Sequence, residues 1–447
     1  MMDADLNPFL VSRLESLSKN VDHQVSYTIS GTITRISGMK LEATGIAVPI
    51  GTLCRIIVSE QCTVNAEVIG FADDITYLMA TESMQGIKKG TPVFPVLNPQ
   101  LACVGMQLLG RIIDAEGKPI DNLGPLQTDE FYSLLPQALN PLERKRISEP
   151  LDVGIRSINS LLTIGKGQRI GIFAGSGVGK SVLLGMMTRY TKADVVIVGL
   201  IGERSREVKE FIEENLGVEG LAKSVVVAAP ADKSPLTRIN GATLAATLAE
   251  YYRDKGLDVL LLMDSVTRYA QAQREVALSV GEMPATKGFT PSVFAKLAQL
   301  VERSGNGIPG QGSITAFYTV LVEGDDISDP IADHVRSLLD GHIVLSRPLA
   351  ESGHYPAIDI EKSISRTMPA VVSEEQLKLA LRFKKIYSAY ASNRDLINIG
   401  MYQFGADATI DEAIKYKDQM RAFLIQDVNE AADTVQSLVR LREIYTL

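Results

Sequence analysis

No apolar run in the 447 residues approaches the length of a membrane span, and the N-terminus lacks the apolar core of a signal peptide. Neither a spanning helix nor an export signal is therefore expected. Cysteine is scarce: Cys54, Cys62 and Cys103 are the only three, an odd number without metal-ligand spacing, and four histidines add no metal cluster. Scattered thiols of this kind fit a reducing compartment and read as small, inert core residues. Internal repeats and low-complexity tracts are missing as well. Positive charge is in deficit: the net charge of −8 argues against a large, generic nucleic-acid surface, while leaving a local basic patch open. What remains is ordinary globular composition, 45% hydrophobic and 22% charged, at a length that suits two to four domains.

The pattern along the chain divides it into four parts. Residues 1–22 place Leu6, Phe9, Leu10, Leu14 and Leu17 on one helical face, an amphipathic pattern that suits docking on its own core, a partner helix or a membrane surface equally. From 23 to 97, short β-rich runs alternate with turns such as Ser37-Gly38 and Asp73-Asp74. Roughly six such strands imply a small closed β-barrel, with Pro92, Pro95 and Pro99 marking its end. From 98 to 370, apolar strands alternate with helices, an α/β pattern that predicts a parallel sheet covered on both faces. From 371 to 447 helical periodicity takes over, and a C-terminal helical domain is expected.

The most informative stretch is Gly171 to Ser181. An apolar strand ending near Phe173 enters a glycine-rich turn that closes on Gly179-Lys180-Ser181, and an apolar helical pattern follows. This is the strand–loop–helix setting of a P-loop. Gly175, Gly177 and Gly179 let the backbone wrap an oligophosphate, and the helix adds N–H donors and a positive dipole end. The phosphate-cradling stretch thus comprises Ala174, Gly175, Ser176, Gly177, Val178, Gly179, Lys180, Ser181 and Val182. Ala174 stands where the usual pattern has its first glycine, a departure that a small residue tolerates. In this reading Lys180 bridges the terminal phosphates of ATP and the Ser181 hydroxyl binds Mg²⁺.

Two acidic groups complete a catalytic constellation. The run Val259–Met263 ends in Asp264, and a carboxylate at the end of a buried strand is what Mg²⁺ binding requires beside a P-loop. The run Asp194–Ile201 ends in Gly202-Glu203-Arg204, which sheet topology sets on the ligand-binding rim. Glu203 can there orient and polarise a water for attack on the γ-phosphate.

At this point the chain resembles a known family. Gly202-Glu203-Arg204, the run Asp264–Ala270 (DSVTRYA), Pro284–Phe289 (PATKGF), Gly312–Gly324, Asp340–Ser346 and Gly353–Ile360 look like the type III protein-export ATPases, relatives of the catalytic subunits of rotary F-type and V-type ATPases. Leu41–Gly45 and Asn393–Leu396 look most like the flagellar branch, with the injectisome branch as the alternative. The resemblance implies a RecA-like core between an N-terminal β-barrel and C-terminal helices. It makes Glu203 the catalytic carboxylate, puts Arg204 beside the γ-phosphate, and gives Asp264 to the Mg²⁺ site and Arg268 to the active-site network. It sets Tyr355 against the adenine and makes Arg366 an arginine finger donated to the neighbouring subunit.

Further expectations follow from the resemblance alone. They are a homohexamer, a regulatory stator protein on the N-terminal helix and a central stalk protein in the ring pore. They also include contacts with the export gate and chaperone–substrate complexes, and peripheral association with the inner membrane. No nucleic-acid partner is expected. A non-catalytic ring subunit is the second functional reading, and Glu203 argues against it. A RecA-like nucleic-acid motor is the third; the acidic balance and the lack of an aromatic-plus-basic pattern in the barrel weaken it.

Overall fold

The computed structural model describes residues 29–96, 100–128, 130–135, 139–322 and 329–445. The amphipathic segment 1–22 lies outside them. The chain separates into two compact units, Met1–Leu97 and Asn98–Leu447.

In the first unit, the strands Gly31–Ser37, Lys40–Thr44, Leu53–Ser59, Cys62–Ala72, Ile75–Ala80 and Pro92–Pro95 close into a barrel. Alternation does the folding work: Leu41, Ala43, Cys54, Ile56, Val64 and Ala66 point inward and are buried, while their neighbours face out. Pro92 and Pro95 bound the barrel's closing strand. Val96, just past it, supplies the N–H donor that proline lacks, reaching Leu53 O at 2.7 Å, and Thr91 O, just before it, accepts from Ile33 N–H at 2.9 Å. One sequence expectation needs correction here: the three cysteines are not all core residues. Cys54 is buried, but Cys62 and Cys103 are exposed. Cys62 is in phase with the buried Val64 and Ala66 but opens its strand at a tight hairpin, where the core no longer covers it, whereas Cys103 alternates outward on the short ribbon Leu101–Val104.

The second unit is built on one large sheet. Its strand order is Ile358–Ser365, Gly341–Leu345, Arg169–Ala174, Ser313–Leu321, Asp258–Asp264, Val195–Ile201, Ser224–Ala229 and Ile112–Asp114. Every neighbouring pair in this order is parallel except the first. All seven residues of Val195–Ile201 are buried, because helices cover both faces. Near-continuous apolar runs in the sequence become the central strands for this reason.

The C-terminal helices Glu374–Asn398, Ala408–Leu424 and Thr434–Glu443 pack Phe383, Ile386, Met420, Phe423 and Leu441 into the core that also holds the P-loop helix. A buried polar hub anchors them. The Arg156 guanidinium donates to the carbonyls of Phe423 and Ile425, both at 3.0 Å, and pairs with Glu430. Gln426 accepts from the Arg156 backbone N–H at 2.7 Å and donates to Gly154 O at 2.8 Å.

Candidate functional site

The strand Arg169–Ala174 delivers the chain into the glycine turn, and the helix Lys180–Tyr190 leaves it. Gly179 sits at φ 87°, a left-handed conformation that disfavours any side chain, and it directly precedes the helix. Val178 is buried and holds the loop down, while Ser176 and Gly177 form its exposed tip. Ala174, at the position of the usual first glycine, is a buried strand residue whose carbonyl accepts from Val322 N–H at 3.1 Å. Gly175 is buried beside it. Leu183, Leu184, Met186 and Met187 bury the inner face of the helix, leaving Val182 on its outer side.

Sheet order brings the charged groups together. The Lys180 ammonium lies 2.6 Å from Asp264 Oδ1 and 3.2 Å from Glu203 Oε1. Side-chain exposure is only 12% at Lys180 and 4% at Asp264. Burial works against the Lys180 charge, but the carboxylates of Asp264 and Glu203 outweigh it and hold its proton affinity above the ordinary lysine value. Burial likewise pushes the Asp264 carboxyl up, with Lys180 opposing. Ser181, Glu203, Glu207 and Asp264 line one small space of about 10 Å³ beside these groups, room for one water at most. A hydroxyl and carboxylates converging there form an all-oxygen donor set, which suits a hard divalent cation such as Mg²⁺.

Glu203 owes its position to Gly202. At φ 71° that glycine turns the chain sharply off its strand, and a Cβ there would lie 2.6 Å from Arg268 Cβ. Arg268 is therefore held directly under the Glu203 turn, with its guanidinium donating to Gln271 at 2.9 Å. Arg204, next in sequence, goes the other way: its side chain is 83% exposed and reaches Glu207 at 3.4 Å.

Tyr355 and Arg366 flank the edge strand Ile358–Ser365 from opposite ends. A Cβ on Gly179 would lie 3.3 Å from Tyr355 Cε1, so the tyrosine ring rests over the end of the phosphate loop while staying 45% exposed. The Gln426 backbone N–H donates to the Tyr355 backbone carbonyl at 3.0 Å, which ties the chain at Tyr355 to the C-terminal hub. Arg366 lies one strand length away. Leu345 pairs with Ile358 on the P-loop side and Gly341 with Ser365 on the far side. At about 3.3 Å per residue that separation is roughly 20–25 Å, beyond the reach of an arginine side chain. Arg366 is exposed, and among the described residues its guanidinium makes no hydrogen bond or ion pair.

Sequence reasoning missed Thr319. Its hydroxyl donates to Asp264 Oδ1 at 2.6 Å from a fully buried position on the central strand Ser313–Leu321. The sequence carried no signal that singled it out, because the same strand also holds the hydroxyl residues Ser313, Thr315 and Tyr318.

Family models cover most of the chain. Residues 154–365 match the nucleotide-binding domain of the ATP synthase alpha/beta family, and residues 33–95 match its beta-barrel domain. The C-terminal domain of the T3SS EscN ATPase matches residues 372–443. The chain belongs to the ATP synthase alpha/beta family. Within the family, it is 54% identical to the "Flagellum-specific ATP synthase" of Pseudomonas aeruginosa over 97% of this chain and 96% of that protein. It is 43% identical to the "Type 3 secretion system ATPase" of Xanthomonas euvesicatoria over 93% of both. Among solved structures, the assembled ATPase EscN of enteropathogenic E. coli superposes with a TM-score of 0.87 at 43% identity, covering 93% of this chain and 99% of that one. EscN in complex with its central stalk EscO superposes with a TM-score of 0.85 at 42% identity, with the same coverage. The barrel, parallel-sheet core and C-terminal helices are thus the family architecture.

Proposed function

We propose that the chain hydrolyses ATP and that this hydrolysis drives type III protein export in flagellum assembly. The observation that carries the reading is Lys180 at the start of the P-loop helix, bound between Asp264 and Glu203 at the ends of two neighbouring strands. A structural salt bridge alone does not require three charges around a glycine-lined phosphate loop. The higher identity to a flagellum-specific relative than to a secretion-system relative favours the flagellar branch.

Each residue has a distinct task in this reading. Amides from Ala174 to Val182 cradle the phosphates, and Lys180 leaves its two carboxylates to bridge the terminal ones. That departure frees Glu203 to accept a hydrogen bond from the attacking water and aim it at the γ-phosphate. Ser181 and Asp264 are the residues that would hold Mg²⁺, which supplies positive charge against the β- and γ-phosphate oxygens. Arg268 supports the Glu203 turn, and Tyr355 offers a ring face to the base. Arg204 reaches the γ-phosphate only by swinging in from its exposed pose.

Arg366 cannot serve its own nucleotide at such a distance, so it acts on that of a neighbouring copy. Phosphoryl transfer spreads negative charge over the transferring group, and a guanidinium inserted from the neighbour stabilises it. The assembled state of EscN supports a ring here, which we take as a homohexamer, and its stalk complex supports a central stalk partner in the pore. The N-terminal segment is assigned to a regulatory stator protein. Export gate and chaperone–substrate complexes are the remaining partners. Among the described residues no helix is long and apolar enough to cross a membrane. Peripheral attachment at the cytoplasmic face of the export apparatus accommodates this.

The purified chain should release phosphate through many turnovers in the presence of Mg²⁺. Tight nucleotide binding with at most one phosphate released per chain would instead identify a non-catalytic ring subunit. Deleting the gene should stop secretion of flagellar subunits; unchanged secretion would overturn the flagellar assignment.

A further inference from the structure

The Asp264 carboxylate is held from two directions. Lys180 and Thr319 both place donors 2.6 Å from the same oxygen, Oδ1. The lysine is the displaceable one, because a bound nucleotide draws it to the phosphates. The threonine cannot follow. Its strand lies between the P-loop strand and the Asp264 strand, with Thr319 opposite Ile172 on one side and Tyr318 opposite Met263 on the other. The strand's outgoing end is fixed as well, since Leu321 N–H donates to Thr267 Oγ1 at 2.9 Å, on the helix that follows Asp264.

We propose that Thr319 is a positioning residue for the proposed reaction: its hydroxyl keeps Asp264 Oδ1 fixed after Lys180 leaves, so that the carboxylate presents its other oxygen to the divalent cation in one orientation. The inference rests on the reading of Asp264 as the cation-side carboxylate. Physically, a carboxylate with one oxygen pinned by a buried donor has lost the torsional freedom that cation binding would otherwise have to remove. A β-branched threonine suits the task because its side-chain rotamer is stiff. The residue is fully buried on its strand, and no direct role toward phosphate or water is assigned to it. Its effect runs entirely through Asp264.

Thr319→Val keeps the shape and removes the donor, and Thr319→Ser keeps the donor with less bulk. The experiment measures the affinity of the full chain for a fluorescent ADP analogue with and without Mg²⁺, alongside the Mg²⁺ concentration that half-saturates phosphate release. For Thr319→Val, affinity without Mg²⁺ should match wild type, the gain in affinity on adding Mg²⁺ should shrink, and half-saturation should rise about tenfold. Thr319→Ser should recover most of both. A Val variant with wild-type Mg²⁺ dependence, or a Ser variant no better than Val, would overturn the positioning role. If wild type itself showed no Mg²⁺ dependence in either measurement, the underlying reading of Asp264 would fail instead.

Discussion

Replacing Lys180 with Ala should abolish ATP turnover, by roughly 10³-fold or more, the scale of losing a principal charge stabiliser in a phosphoryl-transfer site. The same substitution should lower the stability of the nucleotide-free protein. Lys180 is the cation between Asp264 and Glu203. Its removal leaves two carboxylates facing each other in a largely buried space, and breaking a buried pair this way costs on the order of 3 kcal/mol. The loop itself should persist, since Val178 and the apolar face of the following helix hold it. Phosphate-release assays and thermal melts without nucleotide read the two effects separately. Near-normal turnover would remove the P-loop assignment. A variant that melted like wild type would show that the lysine does not offset the two acids.

Glu203→Gln should separate binding from chemistry. The amide keeps the size and hydrogen-bonding capacity of the carboxylate but not the charge that polarises water. Mg-ATP affinity should stay within a few-fold of wild type, while kcat falls by about 10²-fold or more. Loss of the charge also frees Lys180 from one partner, at 3.2 Å, so affinity should rise rather than fall if it moves at all. Equilibrium binding of ATP together with single-turnover hydrolysis distinguishes the outcomes. A variant that lost affinity yet kept kcat would make Glu203 a structural residue.

Much of this architecture was legible because each signal had one physical cause. The glycine turn before Lys180 needs positive φ, and the apolar runs before Glu203 and Asp264 need a sheet buried on both sides; few other structures satisfy both. The meeting of Lys180, Glu203 and Asp264 followed from parallel topology, which sets the ends of neighbouring strands on one rim. Thr319 escaped because its function depends on sheet order. Only when Ser313–Leu321 is seen between the strand that leads into the P-loop and the Asp264 strand does its hydroxyl acquire a partner. The direction of Arg204 was equally out of reach, since the turn at Gly202 aims Glu203 inward and its neighbour outward. Cys62 and Cys103 misled because composition cannot say that one sits at a hairpin end and the other on the outer face of a ribbon.

The central claim is that one copy supplies Lys180, Glu203 and Asp264 while the next supplies Arg366. Arg366→Ala alone should cut turnover by about 10³-fold or more while leaving ATP binding intact, because the P-loop belongs to the other copy. Mixing Arg366→Ala with Lys180→Ala tests the arrangement most directly. In a mixed assembly some interfaces join an intact P-loop to an intact finger, so phosphate release should exceed that of either variant alone and peak near equal proportions. A mixture as inactive as its components, in assemblies shown to contain both chains, would contradict a site shared between neighbouring copies.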